Sequence, residues 1–250
     1  MYKHNKYINT DMDQELVAQL MKKYDLNIIP VVDSEKRMVG IITIDDIVDI
    51  IESENTEDIE KMAAIRPTDK PYMEMSIFEI WKKRIPWLLL LMISATFTSK
   101  IIQSYENALS KVAILTAFIP MFMDTAGNAG GQTSVTIIRG LSLKQIKYKD
   151  IFKIILKEFK VAILVGITLA FANFFKFTLI DHVSNNIAIV VCITLITTII
   201  FAKIIGCTLP IIAKKIGFDP AVMASPFITT IVDAVSLIIY FQIATIVLGL

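Results

Sequence analysis

Five long apolar runs occupy the chain from Pro86 onward, and they limit what it can fold into. They lie at about 86–105, 112–139, 155–179, 187–213 and 221–249. Each run has about 20 residues or more, the helical length that crosses a hydrocarbon core of ~30 Å. Because backbone groups in lipid must bond within their own segment, the runs predict an all-α polytopic membrane domain of five transmembrane helices.

The composition agrees with a membrane protein and separates the chain into two parts. Hydrophobic residues make up 54% of the chain, and the mean hydropathy of +0.61 exceeds that of a soluble domain. Residues 1–84 carry 17 acidic and 12 basic side chains, whereas residues 85–250 carry 7 and 13. The chain is therefore predicted to pair an acidic soluble segment with a membrane domain that has basic loops.

The positions of the basic side chains predict the orientation in the bilayer. Lysine and arginine concentrate before the first run, between the second and third, and between the fourth and fifth, whereas the other two loops carry only Lys111. Basic loops stay on the cytoplasmic side. We expect a multi-pass protein of the cell inner membrane, with a cytoplasmic N-terminus and an external C-terminus. The polar N-terminus, which has no signal-peptide pattern, favours the same orientation.

The N-terminal part has the pattern of a small α/β segment. Apolar spacing predicts a helix over 13–25, strands over 27–33 and 38–44, and a second helix that starts at Asp45 or Asp46. Two strands and two helices form only a small hydrophobic core, and we therefore expect the segment to need a partner. The predicted organisation is a soluble segment, a linker with an amphipathic helix, and a membrane domain. Their boundaries are 1–54, 55–84 and 85–250.

An aspartate lies inside the fifth apolar run, in "SPFITTIVDAVSLIIYF" (225–241). Insertion of such a residue at a helix centre costs about 2.5–3.5 kcal/mol, so Asp233 calls for a functional role. If the helix begins near Ala221, Asp233 lies about 18 Å along it, near mid-membrane. A proton or cation site fits this position, with the Thr229 and Thr230 hydroxyls on the same side. The structural alternative is an ion pair with Lys203 on the fourth run.

The second run, "IPMFMDTAGNAGGQTSVTIIRG" (119–140), combines small and polar residues with Pro120. Close helix packing explains the glycines. Close packing does not explain why Asn128, Gln132 and Asp124 occur together with Pro120. A water-lined path explains all of them, because polar side chains and irregular backbone are tolerated in a membrane segment that faces a cavity. The residues expected along this path are Asp124, Gly127, Asn128, Gly130, Gly131 and Gln132.

Oxygen ligands dominate these two runs, and they favour a hard cation. One chain offers one strong carboxylate in the fifth run, but a two-fold dimer brings two copies together on its axis. Magnesium sheds its waters reluctantly, so a sparse ligand set suits recognition of the hydrated ion.

The motifs "DTAGNAGGQTSVTIIRGL" (124–141) and "FDPAVMASPFITTIVDAVSLIIYF" (218–241) resemble the MgtE family of magnesium channels. The resemblance implies a homodimer in which spans two and five line a central pore. It implies that Asp233 holds hydrated Mg²⁺ with Thr229 nearby, that Asp219 senses cytosolic Mg²⁺, and that residues 72–84 form a plug helix. The pore-lining residues that it implies are Asp124, Gly127, Asn128, Ala129, Gly130, Gln132 and Thr230.

The stretch "PVVDSEKRMVGIITIDDIVDIIESENTEDIEKMA" (30–63) resembles the end of that family's second CBS domain and the start of its linker. Family members carry two complete CBS modules, and this likeness begins inside the second. We therefore expect no nucleotide to bind at Thr43 and Asp46. The pore motif also departs from the family pattern, with Ala126 in place of a glycine and Gly131 in place of a larger residue.

Residues 45–60 contain eight acidic side chains and no basic one. A solvated helix face is the simple interpretation. The functional hypothesis is negative feedback, in which cytosolic Mg²⁺ screens this run and Asp219 and holds 72–84 in a closed position. The acids assigned to regulation are Asp45, Asp46, Asp49, Glu52, Glu54, Glu57 and Asp58.

Two other classes of protein are compatible with a buried carboxylate. A proton-coupled secondary transporter of a divalent cation or small solute would use Asp124 and Asp233 as a relay, but the sequence shows no convincing inverted repeat. A membrane hydrolase would need a nucleophile–base pair or a metal triad, and neither stands out. The protein is expected not to be an enzyme.

Overall fold

The computed structural model describes residues 6–68, 70–223 and 225–249. The chain forms two compact units. The first comprises the residues up to Glu60 together with Pro67–Glu74, and the second comprises Lys61–Arg66 together with the residues from Met75.

The first unit is a small α/β fold. Its elements are β1 (Ile8–Asn9), α1 (Gln14–Lys23), β2 (Ile28–Val32), β3 (Met38–Thr43) and most of α2 (Ile44–Met62). The sheet order is β1-β2-β3, with β1 parallel and β3 antiparallel to β2. The predicted helices and strand pair are present. The sequence analysis did not predict β1, which is only two residues long, and placed the start of the second helix one or two residues after Ile44.

Apolar residues from the two helices and the sheet form the core of this unit. Met21 of α1, Ile29 of β2 and Ile47 of α2 are almost fully buried against one another. The Asp13 carboxylate accepts hydrogen bonds from the backbone N–H groups of Glu15 and Leu16 and so caps α1.

The second unit is helical. It contains α3 (Ile77–Ser104), α4 (Glu106–Lys111), α5 (Ile119–Ser142), α6 (Ile151–Leu179), α7 (Asn185–Lys215) and α8 (Ser225–Leu248). Each of the five predicted spans overlaps one of the long helices, although the start of the second span forms a separate 3-10 helix over Ala113–Phe118. Three helices of the described residues are long and apolar enough to cross a membrane, namely α3, α7 and Pro226–Leu248 of α8. The five-span count is therefore not confirmed.

The structure corrects two predictions, the helix break at Pro120 and the position at which the fifth helix begins. Pro120 does not interrupt the hydrogen bonds of α5, because it lies in the first turn of that helix, where its missing N–H has no intrahelical partner to lose. The second run instead divides just before this proline, between a 3-10 helix over Ala113–Phe118 and α5. The glycine-rich stretch after it is continuous helix. In the fifth run the helix begins at Ser225 and not near Ala221, so Asp233 lies about 12 Å along α8, a third of its length.

The amphipathic segment and the first apolar run belong to one helix. Ser76 caps α3 by accepting a hydrogen bond from the Glu79 N–H, and Glu79 accepts one from the Ser76 N–H in return. The helix then continues through Pro86 to Ser104. No described residue of α3 is fully buried in the single chain, and its C-terminal part, with Ile101 and Ile102, packs against an apolar cluster of the helical unit. Most of the other apolar side chains of α3 are exposed in the single chain.

Helix α5 lies against both α7 and α8, and this packing positions the site. At one end, Phe122 and Tyr240 stack within the largest apolar cluster, and the Tyr240 hydroxyl donates a hydrogen bond to the Leu115 carbonyl at 2.8 Å. Further along, Ala126 and Val232 belong to a second cluster of small and branched side chains. Small residues in this layer let the backbones of the helices approach closely.

Candidate functional site

A stripe of polar side chains runs along one face of α5. Asp124, Asn128, Gln132 and Thr136 follow one another at a spacing of four residues, and all four are exposed in the single chain. Residues four apart share a helix face. The Asn128 Nδ2 donates a hydrogen bond to Asp124 Oδ1 at 3.0 Å, which orients the first two members. We call these four residues the polar stripe.

An open groove accompanies the polar stripe. It has a volume of about 580 Å³ and is lined by Asn128, Gly131, Gln132, Val135 and Thr136. Amide and hydroxyl groups thus face an open space along a helix whose other faces are packed. The predicted path residues Asn128, Gly131 and Gln132 lie together here.

Asp233 lies beside the glycine-rich stretch, where α8 packs against α5. A Cβ added to Gly127 would lie 3.6 Å from Asp233 Oδ1 and 3.2 Å from Thr229 Cγ2. Glycine at 127 therefore leaves the room that the carboxylate and the threonine methyl occupy. The structure brings together residues of the second and fifth runs that are about 100 positions apart in the sequence.

The two threonines of α8 use their hydroxyl protons within the helix. Thr229 and Thr230 both donate to the Pro226 carbonyl, each at 3.0 Å. Each oxygen therefore retains only acceptor capacity, which is what a cation or a hydrating water requires. The methyl group of Thr229, and not its hydroxyl, is the part that contacts Gly127.

Two residues expected along the pore lie behind the polar stripe and not on it. Ala129 and Gly130 are buried, and a Cβ on Gly130 would lie 3.1 Å from the Ala202 carbonyl oxygen and from Ile228 Cγ2. Their small size serves the contact of α5 with α7 and α8. No side chain at 130 would reach the groove without displacing a neighbouring helix. A pore-lining role for Ala129 and Gly130 stays a prediction.

Asp233 is partly buried, and it has no ion-pair partner among the residues that the structure describes. The structural alternative fails, because Lys203 bonds elsewhere. Across the described ranges, no three acidic, histidine or cysteine side chains are grouped to hold a metal. A single chain thus presents isolated carboxylates and not an all-protein cage.

Asp219 is already paired with a cation of the chain itself. Its Oδ2 lies 2.7 Å from the Nζ of Lys61, at the end of α2, and its Oδ1 accepts a hydrogen bond from the Ala221 N–H at 2.9 Å. Met62, next to Lys61, packs against Ile138 and Ala221. The sequence reading named Asp219 as a magnesium-sensing residue but did not find Lys61.

The acidic run has mixed surroundings along α2. Asp46 accepts hydrogen bonds from the Thr43 hydroxyl at 2.7 Å and the Thr43 N–H at 2.9 Å, and these bonds lower the pKa of its carboxyl. It therefore serves as a cap at the helix start. Glu54 accepts a hydrogen bond from Gln14 at 2.7 Å. Asp45, Asp49 and Glu52 are exposed.

A buried polar cluster was missed by the sequence reading. Lys203 of α7 is only 6% exposed and bonds to Glu158 of α6 and Thr133 of α5. The signal in the sequence was weak, because Glu158 lies between Lys157 and Lys160 near the start of the third run. Only packing shows which acid meets the buried lysine.

The fold and the site together define a class of protein. Two apolar helices of membrane-crossing length, α7 and α8, pack against a helix with a polar stripe, and carboxylates lie close to this helix. These are the features of a membrane protein that handles a polar or ionic solute. A family model described as MgtE, divalent cation transporter, matches residues 119–243. The chain belongs to the MgtE family, a family of transporters and not of enzymes. A CBS domain model matches residues 1–53.

Individual relatives are similar over almost the whole chain. A protein of Thermus thermophilus named magnesium transporter MgtE is 38% identical over 242 residues, which cover 97% of this chain and 53% of the relative. A protein of Bacillus subtilis with the same name is 38% identical and matches 93% of this chain and 51% of its own length. The chain thus spans about half the length of the curated relatives that it matches.

Proposed function

We propose that the protein transports Mg²⁺ across the membrane as a homodimeric channel whose pore is lined by α5 and α8. The polar stripe is the observation that carries the proposal. The similarity to two proteins named as magnesium transporters supports the choice of ion. Five spans with a cytoplasmic N-terminus in the inner membrane complete the proposed arrangement.

Exposure of the polar stripe to lipid would be energetically unfavourable. Insertion measurements assign a cost of about 2.5–3.5 kcal/mol to an aspartate at a helix centre, and amides add to that cost. Water removes the cost by hydrating the groups. A second copy of α5 across a two-fold axis would enclose the two grooves into one water-filled path, with equivalent residues facing each other.

The charges near the path suit a divalent cation that keeps its water. Two symmetry-related Asp233 carboxylates supply two negative charges, which balance one Mg²⁺. The isolated carboxylates and the acceptor oxygens of Thr229 and Thr230 suit contacts to the water shell, since Mg²⁺ loses its waters reluctantly. Asp124, which bonds Asn128 at one end of the polar stripe, would attract cations toward the path.

Regulation by cytosolic Mg²⁺ is part of the proposal. Asp219 and the exposed acids Asp45, Asp49 and Glu52 are the candidate sensing residues. The ion pair between Lys61 and Asp219 supports a refinement, in which Mg²⁺ competes with the lysine for the carboxylate. Binding of Mg²⁺ would then change what holds the end of α2.

The test is uptake of Mg²⁺ into proteoliposomes that contain the full chain or its Asp233→Asn variant. The substitution keeps the shape of the side chain and removes two charges from the dimer. We expect uptake to fall about tenfold or more, as for the loss of a stabilising interaction of ~1.4 kcal/mol or more. Asp181→Asn is the matched control, because Asp181 pairs with Lys176 outside the proposed pore.

Equal uptake by the wild type and Asp233→Asn would reject the pore role of Asp233. A pH gradient distinguishes the channel from a proton-coupled transporter. If uptake occurs only when protons flow, the channel proposal is wrong, and the relay by Asp124 and Asp233 is supported.

A further inference from the structure

Three polar side chains from three helices meet inside the helical unit. Lys203 Nζ on α7 lies 3.3 Å from Glu158 Oε2 on α6 and donates to Thr133 Oγ1 on α5 at 3.0 Å. Thr133 Oγ1 in turn donates to Glu158 Oε2 at 3.2 Å. We call these three residues the buried triad.

The surroundings of the buried triad make its members depend on one another. Thr133 is 3% exposed, and the side chains of Lys203 and Glu158 are 8% and 17% exposed. A buried charge is tolerated when it is paired and hydrogen-bonded, and removal of one partner leaves an uncompensated charge. The lysine and glutamate cancel in charge, so the buried triad adds no net positive charge near a path for cations.

Thr133 differs from the two charged members because it belongs to the helix that carries the polar stripe. It follows Gln132 directly and therefore lies about 100° around the helix axis from it. Its one hydroxyl accepts from Lys203 and donates to Glu158, so both of its hydrogen-bonding roles are used. The hydrogen bonds to Lys203 and Glu158 can both form only when α5 has one particular rotation about its own axis.

Apolar packing between α5 and α7 contributes to that rotation, as where a cluster joins side chains of the two helices, namely Ile137, Leu141, Cys207 and Ile211. One turn from Thr133, however, the helices meet at Gly130 and Gly206, where a Cβ on Gly206 would overlap the Gly130 carbonyl oxygen. At this point no side chains lie between the backbones, so the glycines permit close approach but add no directional contact, and the hydrogen bonds of Thr133 supply one.

We propose that the buried triad sets the rotation of α5 and thereby aims Asn128 and Gln132 into the path, with Thr133 as a positioning residue for ion passage. The inference rests on the proposed function, because it assigns a role in conduction to a residue behind the polar stripe. Thr133 touches no transported ion in this scheme. It acts through the direction of its neighbours on α5.

The test compares two substitutions of one residue. Thr133→Val keeps the volume and removes both hydrogen bonds, whereas Thr133→Ser keeps the hydroxyl. Thr198→Val is the matched control, because Thr198 is 1% exposed and its hydroxyl bonds only to carbonyls of α7 among the described residues. We expect Mg²⁺ uptake per reconstituted protein to fall about tenfold in Thr133→Val, the change for a lost charge-assisted hydrogen bond. Thr133→Ser and Thr198→Val should stay within about twofold of the wild type.

A second measurement distinguishes a change in the rotation of α5 from a loss of stability. Cys192 and Cys207 are replaced by alanine, and a single cysteine is placed at Gln132 or Val135 for labelling by a charged, water-soluble thiol reagent. If α5 turns, Thr133→Val lowers the labelling rate at position 132 relative to position 135. The thermal midpoint of each variant in detergent shows whether the fold is intact.

The labelling ratio and the uptake of the variants together test the positioning role of Thr133. A shifted labelling ratio in Thr133→Val, restored in Thr133→Ser, supports it. An unchanged ratio, or equal losses of uptake in Thr133→Val and Thr198→Val, overturns it. A wild type that takes up no Mg²⁺ overturns the proposed function instead, and in that case the labelling ratio still decides whether the buried triad orients α5.

Discussion

Asp233 and Asp219 differ in whether a basic side chain of the same chain already pairs with their carboxylate. Asp233 lies beside Gly127 and lacks an ion-pair partner in the described part of the chain, whereas Asp219 is held by Lys61 at 2.7 Å. Both were expected from the sequence to meet Mg²⁺. In the proposed regulation, Mg²⁺ at Asp219 would have to displace the ammonium group of Lys61, and the lysine would therefore lower the affinity of that carboxylate for the metal.

Substitution of Lys61 tests this competition. In Lys61→Met we expect cytosolic Mg²⁺ to inhibit uptake at a concentration about 1.5-fold to 5-fold lower, because a partly exposed ion pair contributes ~0.2–1 kcal/mol. The measurement is uptake into proteoliposomes across a series of Mg²⁺ concentrations on the cytosolic face. Lys215→Met, an exposed lysine of the same proposed side, is the control. Equal inhibition curves would show that Lys61 does not compete.

At the scale of elements, α5 combines two faces with different demands. One face carries the polar stripe, and the opposite face buries Ala126, Gly130 and Thr133 against neighbouring helices. The glycines of the motif are therefore explained by close packing, and the amides by the groove. The two interpretations that the sequence left as alternatives apply to different faces of the same helix.

The crossing of α5 and α7 predicts the effect of a single methyl group. Gly206→Ala would force the Gly130 carbonyl away, and overpacking of this kind destabilises by about 1–3 kcal/mol. We expect a lower thermal midpoint in detergent, measured by loss of the monodisperse species on heating. Gly40→Ala is the control, because a Cβ there meets no atom within 4 Å. An unchanged midpoint in Gly206→Ala would mean that the helices can separate at no cost.

At the scale of the whole molecule, the polar stripe distinguishes a water-filled path from a lipid-facing surface. Both the polar stripe and the apolar side chains of α3 and α6 are exposed in one chain. Only the polar stripe is unsuited to lipid. The proposed assembly of two copies with α5 at the axis would resolve the difference, because it would enclose the polar stripe and leave the apolar side chains to lipid.

Cysteine accessibility tests that assembly. In a background without Cys192 and Cys207, we expect Gln132→Cys to react with a charged thiol reagent and to lose Mg²⁺ uptake on reaction. Leu164→Cys, at a side chain that is 69% exposed on α6, should react at least about tenfold more slowly, because thiolate formation is suppressed in lipid. Similar rates at both positions would place Gln132 outside a water-filled path.

The sequence by itself determined the local features of this protein. Runs of about 20 apolar residues predicted where the long helices lie, and alternation predicted the small N-terminal sheet, because both depend on the periodicity of neighbouring residues. The combination of Asp124, Asn128 and Gln132 in an apolar run indicated a polar path, although the sequence analysis did not use their spacing of four residues to place them on one face. Pro120 and the start of α8 were misjudged, since a helix boundary depends on a few local bonds.

The tertiary structure decided which distant residues meet. That Lys203 pairs with Glu158 and not with Asp233, and that Lys61 holds Asp219, depends on the rotation and depth at which the helices pack. Residues 45 or 158 positions apart are joined by packing alone, and no period in the sequence encodes those contacts. Long-range pairing of charges follows from where the backbone places them, because a buried charge bonds to the nearest opposite group within reach.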